Sequence, residues 1–232
     1  MSARTALVTG ATGYVGGRLV RELLAAGWQV RILARRPENL RDAPWADRVT
    51  VIGGDAHSID DVGRAMDGAD VAYFLVHSLH QGSELEASEA DLARVFGQAA
   101  SAAGVSRIIY LGGLAPQIPL ERMSAHMRSR VRAGQILAAS GVPTVELRAS
   151  VVIGSGSASF EMLRYLTERL PAMITPRWVR TRTQPIAIRD VLRYLVLAAD
   201  LPPEVSRVFE IGGPEVLTYE EMMHRYARVA GL

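Results

Sequence analysis

The sequence predicts a doubly wound α/β fold, a parallel sheet with helices on both faces, followed by a small C-terminal lid over a ligand site. Short and nearly continuous apolar runs alternate with longer segments of helical spacing, the pattern of strands buried on both faces by crossover helices. Glycines stand where helices should close, at Gly27, Gly104 and Gly141, each trailed closely by the next apolar run. A glycine-rich turn, Thr9-Gly10-Ala11-Thr12-Gly13-Tyr14-Val15-Gly16, joins the first run to the first helical segment.

Taken in order, residues 5–9, 29–34, 49–52, 71–76, 107–111 and 144–147 read as strands. Residues 15–26, with Leu19, Val20, Leu23 and Leu24 on one stripe, and then 59–66, 84–103 and 124–139 read as helices. These elements make a nucleotide-binding core over residues 1–150. Residues 151–232 are less regular and are expected to form the lid, interleaved with the core. A Gly/Ser-rich stretch covers 151–159, a helix covers 160–170, and Pro171, Pro176 and Pro185 interrupt the segment between that helix and the next. A helix over 190–199, a strand near 208–211 and a last helix complete the chain, with Thr218 and Glu221 spaced as a capping box. A further C-terminal segment is expected beyond residue 232.

Composition narrows the function. The chain has 232 residues, 49% hydrophobic and 22% charged, close to ordinary globular averages. No apolar run approaches the roughly 20 residues of a membrane span, and no signal-like segment precedes the first strand, so a cytoplasmic location is expected. There is no cysteine, hence no disulfide and no thiolate site. A net charge of +2 argues against nucleic acid. All 26 basic residues are arginine, which excludes Schiff-base chemistry and any lysine partner of a catalytic tyrosine. No metal site is expected.

The glycine turn carries the chemistry. A pyrophosphate needs close backbone approach and unclaimed amides at a helix N-terminus, and Gly10, Gly13 and Gly16 between a strand and an amphipathic helix supply both. The ligand is expected to be a nicotinamide dinucleotide. The second strand ends in Arg35-Arg36, where a carboxylate would favour NAD(H) and a guanidinium favours the extra phosphate of NADP(H). NADP(H) is therefore preferred, with NAD(H) possible. After the third strand, Asp55 and Ala56 either line the adenine or form an ordinary turn into the next helix. Leu75, Val76 and His77 end the fourth strand, where backbone would line the nicotinamide ribose.

The glycine motif, Arg35-Arg36 and Gly54-Asp55 together resemble the extended form of the short-chain dehydrogenase/reductase superfamily, a Rossmann fold, over nearly the whole chain. Tyr73-Phe74-Leu75-Val76-His77-Ser78, Tyr110-Leu111-Gly112-Gly113-Leu114 and Pro185-Ile186-Ala187-Ile188-Arg189-Asp190 are more narrowly similar to atypical, NmrA-like members. The resemblance implies cofactor contacts at Gly10, Thr12, Gly13, Tyr14, Val15, Arg35 and Arg36. It does not carry the usual chemistry. The family's serine after the fifth strand is replaced at Gly112-Gly113, its tyrosine is absent from the following helix, and its lysine is absent from the chain. His126 and Arg130 occupy the corresponding spacing. Either they belong to a polar helix face, or Arg130 bonds ribose hydroxyls and His126 donates a proton.

Beyond the core, Phe160, Met162, Leu163 and Trp178 are candidate pocket walls or simple core, and Arg177, Arg180 and Arg182 either meet an anionic substrate or are solvated. Met222, Met223, Tyr226 and Val229 on the last helix are expected to pack on the body or on a further segment. Two functions remain open: an NADP(H)-dependent oxidoreductase of non-standard mechanism acting on a small molecule, and a non-catalytic NADP(H) sensor with a protein partner.

Overall fold

The computed structural model describes residues 3–76, 83–169 and 177–232, with the side chains of 83–85 and 177–178 left aside. His77 and Ser78 therefore lie outside the described residues, as do the side chains of Arg177 and Trp178.

The elements run as β1 (Thr5–Thr9), α1 (Tyr14–Ala25), β2 (Gln29–Ala34), β3 (Thr50–Gly53), α2 (Ile59–Met66), β4 (Val71–Phe74), α3 (Ser83–Ala102), β5 (Arg107–Gly113), α4 (Ala125–Ala138) and β6 (Thr144–Ala149). After these come β7 (Val152–Ile153), α5 (Ala158–Arg169), β8 (Arg182–Thr183), β9 (Ile186–Ala187), α6 (Ile188–Ala198), β10 (Arg207–Ile211), β11 (Leu217–Thr218) and α7 (Tyr219–Ala230). A seven-stranded sheet has the order β10-β6-β5-β4-β1-β2-β3. The pairings of β1 with β2 and β4, of β2 with β3 and of β4 with β5 are parallel. The chain winds outward from β1 through β2 and β3, then returns to β4 on the other side of β1. That reversal is the topological switch point of a doubly wound sheet, where ligands bind at the carboxyl edge.

Burial explains the sheet. Leu7, Phe74, Ile108 and Tyr110 pack with Val62 and Met66 of α2, Leu92 and Phe96 of α3 and Leu137 of α4 in one apolar cluster. The Phe74 ring meets Phe96 edge-on at 5.0 Å. Its neighbour on β4, Tyr73, points to the opposite face, where its hydroxyl donates to the Leu195 carbonyl of α6 at 3.2 Å. Caps set the helix starts: Ser58 accepts from Asp61, Ser124 from Met127 and Thr218 from Glu221, the last in a complete capping box. Gly27, Gly104 and Gly141 all take positive φ, as expected of residues that close helices.

The chain divides into two compact units, Met1–Arg148 with Leu192–Phe209, and Ala149–Val191 with Glu210–Leu232. In the second, β7 pairs with β9 and β8 with β11, four short strands that periodicity is too brief to reveal. Its core joins Leu163, Val179, Met222 and Met223, with Leu166 and Tyr226 packed against them. Leu163 is thus core, whereas Met162 is 49% exposed. Val229 lies in the last turn before Gly231 and is 89% exposed, so it, of the four, is not packed on the body.

Candidate dinucleotide site

The turn after β1 is built by main-chain constraint. Thr9 Oγ1 donates to the Tyr73 carbonyl at 2.9 Å and accepts from the Leu75 amide at 3.3 Å, tying the ends of β1 and β4 together. Gly10 has φ +75, and a Cβ there would overlap the Leu75 carbonyl. The Gly13 amide closes the turn on the Gly10 carbonyl at 2.9 Å. Gly16 then lets α1 pack onto its own turn, since a Cβ would overlap that same carbonyl. Thr12 is exposed and Val15 half-buried. The Tyr14 ring lies under the Arg18 guanidinium at 3.9 Å.

The N-terminus of α1 differs from those of α2, α4 and α7. Its cap, Gly13, supplies no side-chain bond, and no acidic residue occupies its first turn. The amides and dipole of this helix end are therefore open to an anion at the switch point. A pyrophosphate fits these open amides, and the tight turn that presents them leaves no room for a Cβ at Gly10 or Gly16.

On one side of the turn lie the ends of β2 and β3. Arg35 and Arg36 are exposed directly after buried Leu33 and Ala34. Asp55 is fixed from two directions: its amide donates to Asp61 Oδ2 at 2.8 Å, and its carboxylate accepts from the His57 amide at 3.0 Å. His57 Nδ1 sits 3.1 Å from the same oxygen, and His57 Nε2 is 3.3 Å from Ser88 Oγ. The His57 amide, then its imidazole and the charge of Arg35, hold the Asp55 carboxyl below its usual range. The Asp55 side chain stays half exposed, so the turn arrangement and a ligand contact are compatible. His57 and Ser88 were not singled out in the sequence, although Asp-x-His is a recognisable Asx-turn pattern. Ala56 packs on the core.

On the other side stand β4, β5 and α4. Leu75 is buried and Val76 half-buried at the end of β4. His126 is exposed in the first turn of α4, while Arg130 is buried at 9%. The Arg130 guanidinium donates to the Leu111 carbonyl and lies 5.6 Å over the Tyr110 ring. The Tyr110 hydroxyl donates to the Arg130 carbonyl at 3.1 Å. Burial pushes this phenol up to about 12, so it keeps its proton. Gly112 carries no side chain, and the space is filled from β6 by the Glu146 carboxylate. Buried Glu89, Ser129 and Glu146, and Arg148 beside them, were not singled out in the sequence. Charged residues inside apolar segments were the available signal. Tyr14 with Arg18 and Tyr165 with Arg169, each pair four residues apart on one helix, are stacked cation–π pairs. Among the described residues, no three His, Asp or Glu side chains could hold a metal ion, and no helix is long and apolar enough to cross a membrane.

A parallel sheet with a glycine turn and an uncapped helix at its switch point defines a dinucleotide-binding α/β protein. Comparison with known proteins agrees: residues 10–154 match the family described as NAD(P)H-binding. The chain is 33% identical to a (4-alkanoyl-5-oxo-2,5-dihydrofuran-3-yl)methyl phosphate reductase of Streptomyces griseus, over 97% of this chain and 73% of that one. It is 32% identical to a ceramide reductase of Caulobacter vibrioides, over 97% and 70%. Its fold matches a short-chain dehydrogenase/reductase superfamily protein from Agrobacterium tumefaciens with bound NAD, at TM-score 0.78 and 20% identity over 99% of this chain and 84% of that one. The chain belongs to the NAD(P)H-binding family and has a Rossmann-type fold.

Proposed function

We propose that this protein is an NADP(H)-dependent oxidoreductase acting on a small molecule by a mechanism that dispenses with the tyrosine–lysine pair. The observation that carries the reading is the exposed Arg35-Arg36 pair at the end of β2, on the flank of an uncapped helix N-terminus. Guanidinium forks suit a phosphate on the adenosine ribose, where a carboxylate would repel it. The relatives named as reductases support the reaction class. The bound dinucleotide would supply or accept the hydride.

The chain's own residues then bind and orient. The α1 amides would take the pyrophosphate, Arg35 and Arg36 the ribose phosphate, and Asp55 the adenine amine through its exposed carboxylate. The backbone around Leu75, Val76 and Gly112 would shape the next stretch of the groove. Tyr110 is unsuited as an acid, because its proton is committed to the Arg130 carbonyl and its pKa is pushed up to about 12. His126, exposed on the first turn of α4, is the proposed proton donor. The rest of the rate enhancement falls to positioning.

A second reading, an NADP(H) sensor without turnover that signals to a protein partner, draws on one observation: the Arg130 guanidinium is committed to the Leu111 carbonyl. The two readings separate by experiment. Purified protein is titrated with NADPH and NADH, and nicotinamide absorbance is followed with a panel of carbonyl and enone substrates. Tighter binding of NADPH, with turnover of at least one substrate, is the expected result. Tight binding with no turnover selects the sensor. Equal affinity for the two cofactors, unchanged when Arg35→Ala and Arg36→Ala are combined, refutes the NADP(H) preference.

A further inference from the structure

Strand β6 carries Thr144, Glu146 and Arg148 at alternate positions, so their side chains leave one face of the sheet. Thr144 is satisfied locally by the Leu137 and Val142 carbonyls at 3.1 and 2.9 Å. Glu146 is 4% exposed, and Arg148 grips both its oxygens, Nε to Oε1 at 2.7 Å and Nη2 to Oε2 at 3.2 Å. The carboxylate is seated against Gly112 of β5 and Gly134 of α4, and a Cβ at either would overlap it. Two positions have given up their side chains to admit one buried carboxylate. Burying an ion pair seldom adds stability, because desolvation offsets the Coulomb attraction. The arrangement does secure the direction of the Arg148 guanidinium, at the carboxyl end of β6, on a carboxylate that itself rests against Gly112.

We propose that Arg148 holds the nicotinamide half of the dinucleotide, donating to a neutral oxygen there, a ribose hydroxyl or the carboxamide oxygen, with Glu146 as its positioning residue. The inference rests on the dinucleotide function proposed for this chain. With the pyrophosphate over the β1–α1 turn and the adenosine towards β2 and β3, the other half must run across β4 to β5 and β6. At about 4.8 Å per strand, β5 and β6 lie roughly 10 and 14 Å from β1, within the span of a nucleotide. The Glu146–Arg148 pair is net neutral, so it suits an uncharged acceptor better than a phosphate. Arg130, which matches the family's lysine in spacing, is buried, while Arg148 is half-buried at the strand end.

The test is a calorimetric titration of the full chain with NADPH, with 2′-phospho-ADP-ribose, which lacks the nicotinamide, and with 2′,5′-ADP, which lacks the whole nicotinamide half. Arg148→Ala is expected to weaken NADPH about tenfold and leave 2′,5′-ADP unchanged. An equal loss for 2′-phospho-ADP-ribose assigns the ribose, and a loss confined to NADPH assigns the carboxamide. Arg148→Lys is run beside it, because it keeps a cation on Glu146 and so preserves folding while removing the fork; the same selective loss is expected. Unchanged affinities for all three ligands, or a uniform loss across them, overturn the inference. If wild-type protein binds none of the three, the dinucleotide reading falls with it, whereas NADPH binding that ignores Arg148 removes this inference alone.

Discussion

Replacing Arg107 by Met should destabilise the protein by about 2–4 kcal/mol. Arg107 opens β5, is 3% exposed, and sends its guanidinium into the main chain beyond α6. Nη1 donates to the Leu201 carbonyl and Nη2 to the Pro202 carbonyl, both at 2.6 Å, and longer contacts reach Ala198 at 3.3 Å and Val205 at 3.4 Å. One cation thus answers the last carbonyl of α6, Ala198, and three carbonyls of the segment that follows it. Each charge-assisted bond is worth about 1.5–3 kcal/mol, so the two short ones give roughly 3–6 before the cost of desolvating the guanidinium. Burial does lower the Arg107 pKa, the sign of that cost. The net figure is a large share of a total stability of about 5–15 kcal/mol. In a chain of this size it corresponds to a fall in Tm of roughly 5–15 °C. Urea unfolding followed by circular dichroism measures it, with m unchanged. Arg107→Lys should recover about half, because a single ammonium cannot fork between the Leu201 and Pro202 carbonyls. A loss below about 1 kcal/mol for Arg107→Met, or a lysine variant equal to wild type, would refute the reasoning.

Gly10→Ala combines a left-handed φ with overlap on the Leu75 carbonyl. It should cost about 2–4 kcal/mol in urea unfolding and abolish detectable NADPH binding. Gly134→Ala, which would drive a methyl into the Glu146 carboxylate, is expected to lower stability by about 1–3 kcal/mol; a Tm equal to wild type would show that the carboxylate can move aside. Backbone amides of Asp55, Gly156 and Thr218 hold the Asp61, Glu161 and Glu221 carboxyls below their ordinary values. Each contribution is therefore complete above about pH 4.5 and is lost as pH falls through the depressed folded value. Tm should be level above that pH and decline below it, and Glu221→Gln should flatten the decline. His126→Ala should lower turnover with any substrate found while leaving NADPH affinity alone; full retained turnover ends its role as donor.

The fold was legible because its signals are local and repeated. Strands β1 and β2 and helix α2 end where period and punctuation place them, and the glycines at 27, 104 and 141 mark helix ends by a conformation that side chains resist. Strand β4 departs from the expectation by stopping at Phe74, because the Leu75 carbonyl is drawn against Gly10 and its amide against Thr9. Strand β5 runs on to Gly113, since two glycines that look like a breaker in sequence are here the space left for another residue's side chain. The two-residue strands of the second unit could not be read at all. A period of two needs several residues before it rises above chance, and these pairs are set by long-range bonds such as Ile186 to Val151 and Gly213 to Pro185.

The candidate site divides along the same line. Gly10, Gly13, Gly16, Arg35 and Arg36 are contiguous with the strand ends that display them, so residue type and position sufficed to select them. The buried polar layer is different, because its members come from α3, α4, β5 and β6 and meet only after folding. Spacing alone put His126 and Arg130 together as one pair, yet the helix turns the first to solvent and the second under β5. Spacing also left Gly112 as a missing hydroxyl. In the fold that position is where Glu146 enters, and Gly134, a turn beyond Arg130 on α4, opens the other side. A glycine in a strand and a glycine in a helix are each weak signals. Paired across a buried glutamate they point to one event, the admission of a charge that apolar packing would have excluded. Such pairs, small residues on two elements facing an acid on a third, give a way to look for polar groups that a family motif does not mark.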